Sequence, residues 1–295
     1  MKNSSVTVPQ ILSFKSKSLE SFSTPLQKKI VALTAYDYLM AKLIDSTEAV
    51  DIILVGDSVS TVFQGKKNTL PVTLEEMIYH CRCVVPAVKR ALVVGDMPFL
   101  SYQVSLSEAV RSAGRLIKEG GVSAVKLEGG ENVAEIVAHL VKYDIPVMGH
   151  IGLTPQSYHR MGGYKIQGKK TNSPGISTYE RILDDALALE KAGVFSIVLE
   201  GIPKELAKEI TDTVSVPTIG IGAGPECDGQ ILVTYDLLGM DPDFKPKFVK
   251  QYLNGAEVVR KAINEYAREV RGEIFPDSDH SFSLQNRPYL KKKAL

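Results

Sequence analysis

Cysteine is scarce in this 295-residue chain, which holds only Cys81, Cys83 and Cys227. An odd, sparse set excludes a disulfide framework and fits a reducing compartment. Cys81 and Cys83 stand beside His80, but they fall in an expected helix over 73–89, where residues two apart face different ways. No second Cys/His pair completes a zinc site, so ordinary packing is the expectation there. Excess charge of either sign is also lacking. Lys+Arg number 35 against Asp+Glu 34, a net charge of +1, which removes the electrostatic case for nucleic acid. There is no basic amphipathic helix for a membrane surface, no apolar run long enough to span a bilayer and no secretory h-region. A cytoplasmic protein is expected, with Lys291-Lys292-Lys293 as a solvated tail.

What is present is an apolar fraction of 44% with 23% charged residues, enough for a sizeable globular core. From Lys29 onward short β-branched runs alternate with stretches of helical period, the pattern of βα units in a parallel sheet. Strands are expected over 30–34, 51–55, 91–95, 124–127, 145–148, 195–199, 217–219 and 230–233. Helices are expected over 38–47, 73–89, 106–119, 132–143, 178–192, 203–213 and 246–271. Thr73 with Glu76 and Ser105 with Glu108 have capping-box spacing, and Gly120-Gly121, Gly193 and Gly239 sit where helices should stop. Eight strands in this length indicate an α/β protein of the (β/α)8 TIM-barrel class, a single domain over 28–271. Residues 1–27 form an arm or short helix before it, and 272–295 a tail beyond the C-terminal helix. A doubly wound open sheet is the alternative, but it would normally carry an early dinucleotide fingerprint, and none occurs.

Four of the strand runs end in an acid: Asp57, Asp96, Glu128 and Glu200. In a barrel those carboxylates meet at the C-terminal rim, where repelling charges need a cation or shifted pKa values. Asp57 and Asp96, each after a glycine, offer two hard oxygen ligands of the kind that hold Mg²⁺, with Glu128 coordinating directly or through a metal-bound water. The structural alternative for each acid is a helix cap or a lysine pair. Lys126 lies two residues before Glu128, so both side chains point into the barrel mouth. It would contact a substrate carboxylate or enolate, or pair with a neighbouring acid. Glu200 stands two strands away and suits a general base. His150 lies between the two groups, able to bond substrate or steer Glu200, though a lone histidine is more often structural. Gly220-Ile221-Gly222-Ala223-Gly224 suggests a phosphate loop only weakly; tight packing or a flat ligand explains it equally. The long glycine-rich connection over 154–177 is either a lid or a plain surface loop.

These residues lie in stretches that closely resemble the ketopantoate (3-methyl-2-oxobutanoate) hydroxymethyltransferase family. They include Thr34-Ala35-Tyr36-Asp37, Val55-Gly56-Asp57-Ser58, Gly95-Asp96-Met97-Pro98-Phe99 and Val125-Lys126-Leu127-Glu128-Gly129-Gly130. They continue through Gly149-His150-Ile151-Gly152-Leu153-Thr154-Pro155-Gln156-Ser157, Leu199-Glu200, and the segments 219–224, 228–230 and 246–250, in order over about residues 28 to 270. The resemblance implies a (β/α)8 barrel in pantothenate and coenzyme A biosynthesis. Such an enzyme binds Mg²⁺ and takes its one-carbon unit from 5,10-methylenetetrahydrofolate. By motif, Asp57 and Asp96 would ligate the metal, with Glu128 in the same site. Asp57, Ser58, Asp96 and Lys126 would contact the 2-oxo acid, and Glu200 would accept the proton. The family also implies a large cytoplasmic homo-oligomer, commonly a decamer.

Two rivals remain. A Mg²⁺-dependent C–C or P–C lyase or mutase of the isocitrate lyase/phosphoenolpyruvate mutase type should carry a cysteine-bearing lid motif, where this chain has Gly168-Lys169-Lys170-Thr171-Asn172. An inactive metabolite-binding barrel should have lost a ligand or the base, yet all four acids are in place.

Overall fold

The structure, a computed structural model, describes residues 5–17, 29–169 and 177–283. Part of the glycine-rich connection, 170–176, and Lys291-Lys292-Lys293 lie outside the described residues.

Eight parallel strands form in sequence order: β1 (Ile30–Thr34), β2 (Ile52–Val55), β3 (Leu92–Asp96), β4 (Ala124–Glu128), β5 (Val147–Gly152), β6 (Ser196–Glu200), β7 (Thr218–Ile221) and β8 (Gly229–Leu232). β1 pairs with both β2 and β8, so the sheet closes on itself and the open-sheet alternative is excluded. Strand β5 departs most from expectation. It runs through Gly149 and His150 instead of stopping at Met148, which puts His150 inside the strand. Gly149 does not make a turn there. A Cβ on it would come 2.7 Å from Leu189 Cδ1, so its bareness lets the following helix approach the sheet.

The helices begin where their caps are. Thr73 accepts from the Glu76 amide while Glu76 accepts from the Thr73 amide, a complete capping box for Leu74–Val84. Ser105 likewise caps Leu106–Arg115. The helix expected to reach residue 89 ends at Val84 and continues only as a 3₁₀ turn, Val85–Ala87, because Pro86 cannot extend the α-helical ladder. Gly121 and Gly193 terminate helices in the left-handed conformation, at φ 79° and 97°. The last helix is shorter than the 246–271 expected and starts at Gly255. Ahead of it the chain is tied to the segment after β8 by Tyr252 N–H to Leu237 O (2.8 Å) and Gly255 N–H to Leu238 O (2.8 Å).

Alternate residues of each strand supply two apolar layers. Ile52, Leu54, Val94 and Met148 fill the barrel, while Ile53, Val93, Val125 and Ile197 pack against the helices. Residues Val8–Lys17 form a helix beneath the barrel, and its fully buried Ile11 joins the interior cluster with Ile30 and Phe195. Lys15 pairs with Asp228 at 3.0 Å, and Val6 N–H bonds Arg90 O at 2.6 Å, both just ahead of strand starts. The N-terminal foot of the barrel is thereby covered, which leaves the C-terminal rim for chemistry.

Candidate active site

Strand register assembles the centre. Asp96 of β3 lies opposite Lys126 of β4, and Glu128 of β4 opposite His150 of β5, so all four side chains share the inner face near the rim. Lys126 Nζ lies 2.7 and 2.9 Å from the two Asp96 oxygens and 3.8 Å from Glu128 Oε1. Asp57 closes the group from the turn after β2, its amide donating to Asp96 Oδ2 at 3.1 Å. A Cβ on Gly56 would come 2.8 Å from Ser58 Oγ, so its bareness leaves that hydroxyl its place. Ser58 Oγ is 2.7 Å from the hydroxyl of buried Tyr36. Tyr36 is held in turn by His80 Nδ1–H, which donates to its carbonyl at 2.7 Å.

His150 joins this group to Glu200. Its Nδ1 is 3.4 Å from Glu128 Oε1 and its Nε2 is 3.2 Å from Glu200 Oε2, within ion-pair range though off hydrogen-bond alignment. Asp57, Asp96, Lys126, Glu128 and His150 are all buried, whereas the Glu200 carboxylate keeps 19% of its surface open at the rim. The five residues read from the sequence as metal, substrate and base groups, together with His150 and Ser58, thus share one rim.

Burial, then the Asp96 and Glu128 carboxylates, push Asp57 well above the usual carboxylate range. Burial also raises Asp96, against the pull of Lys126. Burial opposes the Lys126 charge, but Asp96, Glu128 and Asp57 outweigh it, so the ammonium persists. Burial and Lys126 press the His150 imidazole down, yet Glu128 and Glu200 lift it to about 9. Burial pushes Glu128 up, and the His150 ring and Lys126 bring its carboxyl below the ordinary value. Three carboxyl groups crowd one ammonium and the His150 imidazole, and Glu128 Oε1 has no hydrogen-bond partner. This all-oxygen donor set fits a hard divalent cation. Among the described residues no three His, Cys, Asp or Glu side chains form a ready-made cage. Mg²⁺ needs none, since it is commonly held by one or two carboxylates with water and substrate completing its shell.

The sequence did not single out two neutral residues that bind these acids. Gln156, after β5, donates from Nε2 to Asp57 Oδ2 at 3.0 Å and from its backbone to Glu128 Oε2 at 2.9 Å. Tyr102 donates to Gln156 Oε1 at 2.8 Å. Behind this pair opens a cavity of about 590 Å³, lined by Phe99, Asn132, Ser157, Arg160 and Asp185 among others. In the described part of the long connection, partial burial, then the Asp57 charge, raises the Tyr164 phenol to about 12. Gln167 N–H anchors that stretch to Gly201 O at 2.9 Å, next to Glu200. The glycine loop after β7 is engaged in packing. A Cβ on Gly222 would come 3.2 Å from the Phe248 ring, and one on Gly224 would come 2.4 Å from Lys204 Cβ.

The sequence profile of the family described as ketopantoate hydroxymethyltransferase matches residues 16–278. The 3-methyl-2-oxobutanoate hydroxymethyltransferase of Pelobacter propionicus is 54% identical over 94% of this chain and 97% of its own. That of Clostridium kluyveri is 58% identical over 88% of this chain and 90% of its own. Among solved structures, 2,3-dimethylmalate lyase, of the PEP mutase/isocitrate lyase superfamily, superposes with a TM-score of 0.58 at 18% identity, covering 94% of this chain and 92% of that one. At that identity the likeness to the lyase is one of fold alone. The long, high-identity matches fall on the hydroxymethyltransferases, and the chain is an enzyme that belongs to the ketopantoate hydroxymethyltransferase family.

Proposed function

We propose that this enzyme transfers a hydroxymethyl group from 5,10-methylenetetrahydrofolate to 3-methyl-2-oxobutanoate, giving 2-dehydropantoate, with Mg²⁺ bound at the rim. The observation that carries this reading is the burial of Asp57, Asp96 and Glu128 around a single ammonium, with Glu200 set apart across His150. Asp57 and Asp96 would hold the ion, with Glu128 in the same site. When bound, Mg²⁺ polarises a chelated 2-oxo acid and acidifies its C3–H.

The chain's own groups do the rest. Ser58, Asp57 and Asp96 orient the oxo acid, and Lys126 sets a fixed positive charge beside the oxygen where negative charge develops. Glu200, partly open at the rim, accepts the C3 proton. His150, protonated and 3.2 Å from Glu200 Oε2, holds the carboxylate in place for that transfer. Room for a one-carbon donor as large as a folate is supported by the 590 Å³ cavity that adjoins Glu128 and Gln156. Assembly into a homo-oligomer, a decamer as in the family, is supported by Val258, Ile263, Tyr266 and Val270, which leave the helix Gly255–Arg271 with an exposed apolar side. Among the described residues no helix is long and apolar enough to cross a membrane, and we place the enzyme in the cytoplasm.

The test is exchange of the C3 proton of 3-methyl-2-oxobutanoate in D₂O, followed by NMR, with and without Mg²⁺ and tetrahydrofolate. Metal-dependent exchange is expected. No exchange under any of these conditions would overturn the reading.

A further inference from the structure

Gln156 is buried at the rim and tied to both sides of the acidic group. Its amide has two N–H bonds, and both are committed: Nε2 donates to Asp57 Oδ2 and to Met97 O, each at 3.0 Å. Met97 O can only accept, which fixes which way round the amide sits, and Oε1 then faces the Tyr102 hydroxyl at 2.8 Å, whose one proton also has Glu128 O within 2.9 Å. Its backbone N–H takes Glu128 Oε2 at 2.9 Å. One residue therefore occupies one oxygen on each of two carboxylates and leaves the other oxygen of each outside that tie. For Glu128 the remaining oxygen, Oε1, has no hydrogen bond and meets only the longer ion-pair contacts of His150 Nδ1 at 3.4 Å and Lys126 Nζ at 3.8 Å. Buried acceptors are seldom left without a hydrogen bond, so this oxygen has capacity for a further partner.

We propose that Gln156 is a positioning residue for the divalent-cation site. It sets the separation of Asp57 and Glu128 and turns Asp57 Oδ1 and Glu128 Oε1 toward the ion, with Tyr102 locking its amide. The proposal rests on the metal reading given above. Tyr102 suits the locking role because it is fully buried and its hydroxyl also accepts from the Glu128 amide at 3.2 Å. Residues that orient metal ligands without touching the metal typically contribute about 10–100-fold in affinity.

The experiment is Mn²⁺ titration of the full-length, metal-stripped protein, with free Mn²⁺ read by EPR in the absence of substrate. The variants are Gln156→Met, which keeps the length and the backbone bond to Glu128 but removes every side-chain amide bond, Asp57's included, and Tyr102→Phe, which removes the hydroxyl. Gln156→Met is expected to bind Mn²⁺ at least about 10-fold more weakly, and Tyr102→Phe to weaken binding in the same direction by less. In the double variant the two losses should fall short of their sum, since the hydroxyl acts through the amide. A purely structural role would lower the melting temperature while leaving the Mn²⁺ affinity of the folded protein unchanged, and that result overturns the proposal. Should Gln156→Met fail to fold, Tyr102→Phe decides alone, and unchanged affinity in it overturns the proposal equally. Absence of Mn²⁺ binding by the unmodified protein would instead remove the metal reading on which the proposal stands.

Discussion

His150 Nε2 lies 3.2 Å from Glu200 Oε2, and the other ring nitrogen faces Glu128, so one imidazole spans the gap between the proposed base and the metal-side acids. Despite burial and Lys126, the two carboxylates raise that imidazole from 6.5 to about 9. A raised histidine stabilises the fold fully below its unfolded pKa and loses that contribution as pH rises through the folded value. In EDTA, His150→Asn should therefore melt several degrees below the unmodified protein at about pH 6, and the gap should close as pH passes about 9. Melting curves across this range check it; a gap of constant size would show that the imidazole is not charged in the fold.

Among the described residues Glu200 meets the acidic group through His150 and keeps part of its carboxylate open. Glu200→Gln should reduce C3–H exchange by about 10²–10⁴-fold while leaving Mn²⁺ and oxo-acid affinity nearly unchanged. Exchange by NMR and binding by calorimetry separate the two effects. Retained exchange would take the base role away from this residue.

Lys126 and Asp96 form a fully buried pair at 2.7 Å. Removing one partner leaves the other charge stranded in a dry environment, which costs far more than a surface pair. Lys126→Met is expected to lower stability by about 3–5 kcal/mol in metal-free urea unfolding. A loss below about 1 kcal/mol would mean that Asp96 takes up a proton at little cost, since that is the scale of an exposed pair.

Gly130 leaves room for Asp185, whose Cγ would stand 2.0 Å from a Cβ added there. Asp185 Oδ1 accepts from the Glu131 amide at 2.9 Å and so pins the loop that follows Glu128. Gly130→Ala should destabilise by about 1–3 kcal/mol through overpacking. Adding Asp185→Gly, which removes the Cβ at 2.2 Å as well as the carboxylate, should relieve part of that cost, so the double variant falls short of the two single losses summed. Strict additivity in denaturant unfolding would place the clash elsewhere.

Much of this fold is legible in the chain because strand cores here are continuous β-branched runs and each run stops at a polar signal. Ile52-Ile53-Leu54-Val55 before Gly56-Asp57 shows both features at once. The acids were legible for the same reason, and Lys126 because two-residue periodicity aligns it with Glu128. Gln156 and Tyr102 gave no such signal. They are neutral, and Gln156 meets Asp57 across 99 positions of sequence, a pairing that only barrel closure creates. The stretch 246–254 misled for a different reason. It has helical composition, but beyond one turn, Val249 N–H to Pro246 O, its backbone is held from outside, by Tyr252 N–H to Leu237 O.

Ile11 has a kinetic consequence. A barrel stoppered at its foot and filled with side chains is a blind well, so everything must enter and leave by one mouth. Lys126 and Asp96 are buried in that mouth, and the adjoining cavity reaches it at Glu128 and Gln156. If the proposed reaction holds, a small acid bound there would be seated before a bulky donor beside it, and the spent donor would leave first. Product-inhibition patterns should then show tetrahydrofolate released ahead of 2-dehydropantoate, and the reverse order would remove the blind-well reading.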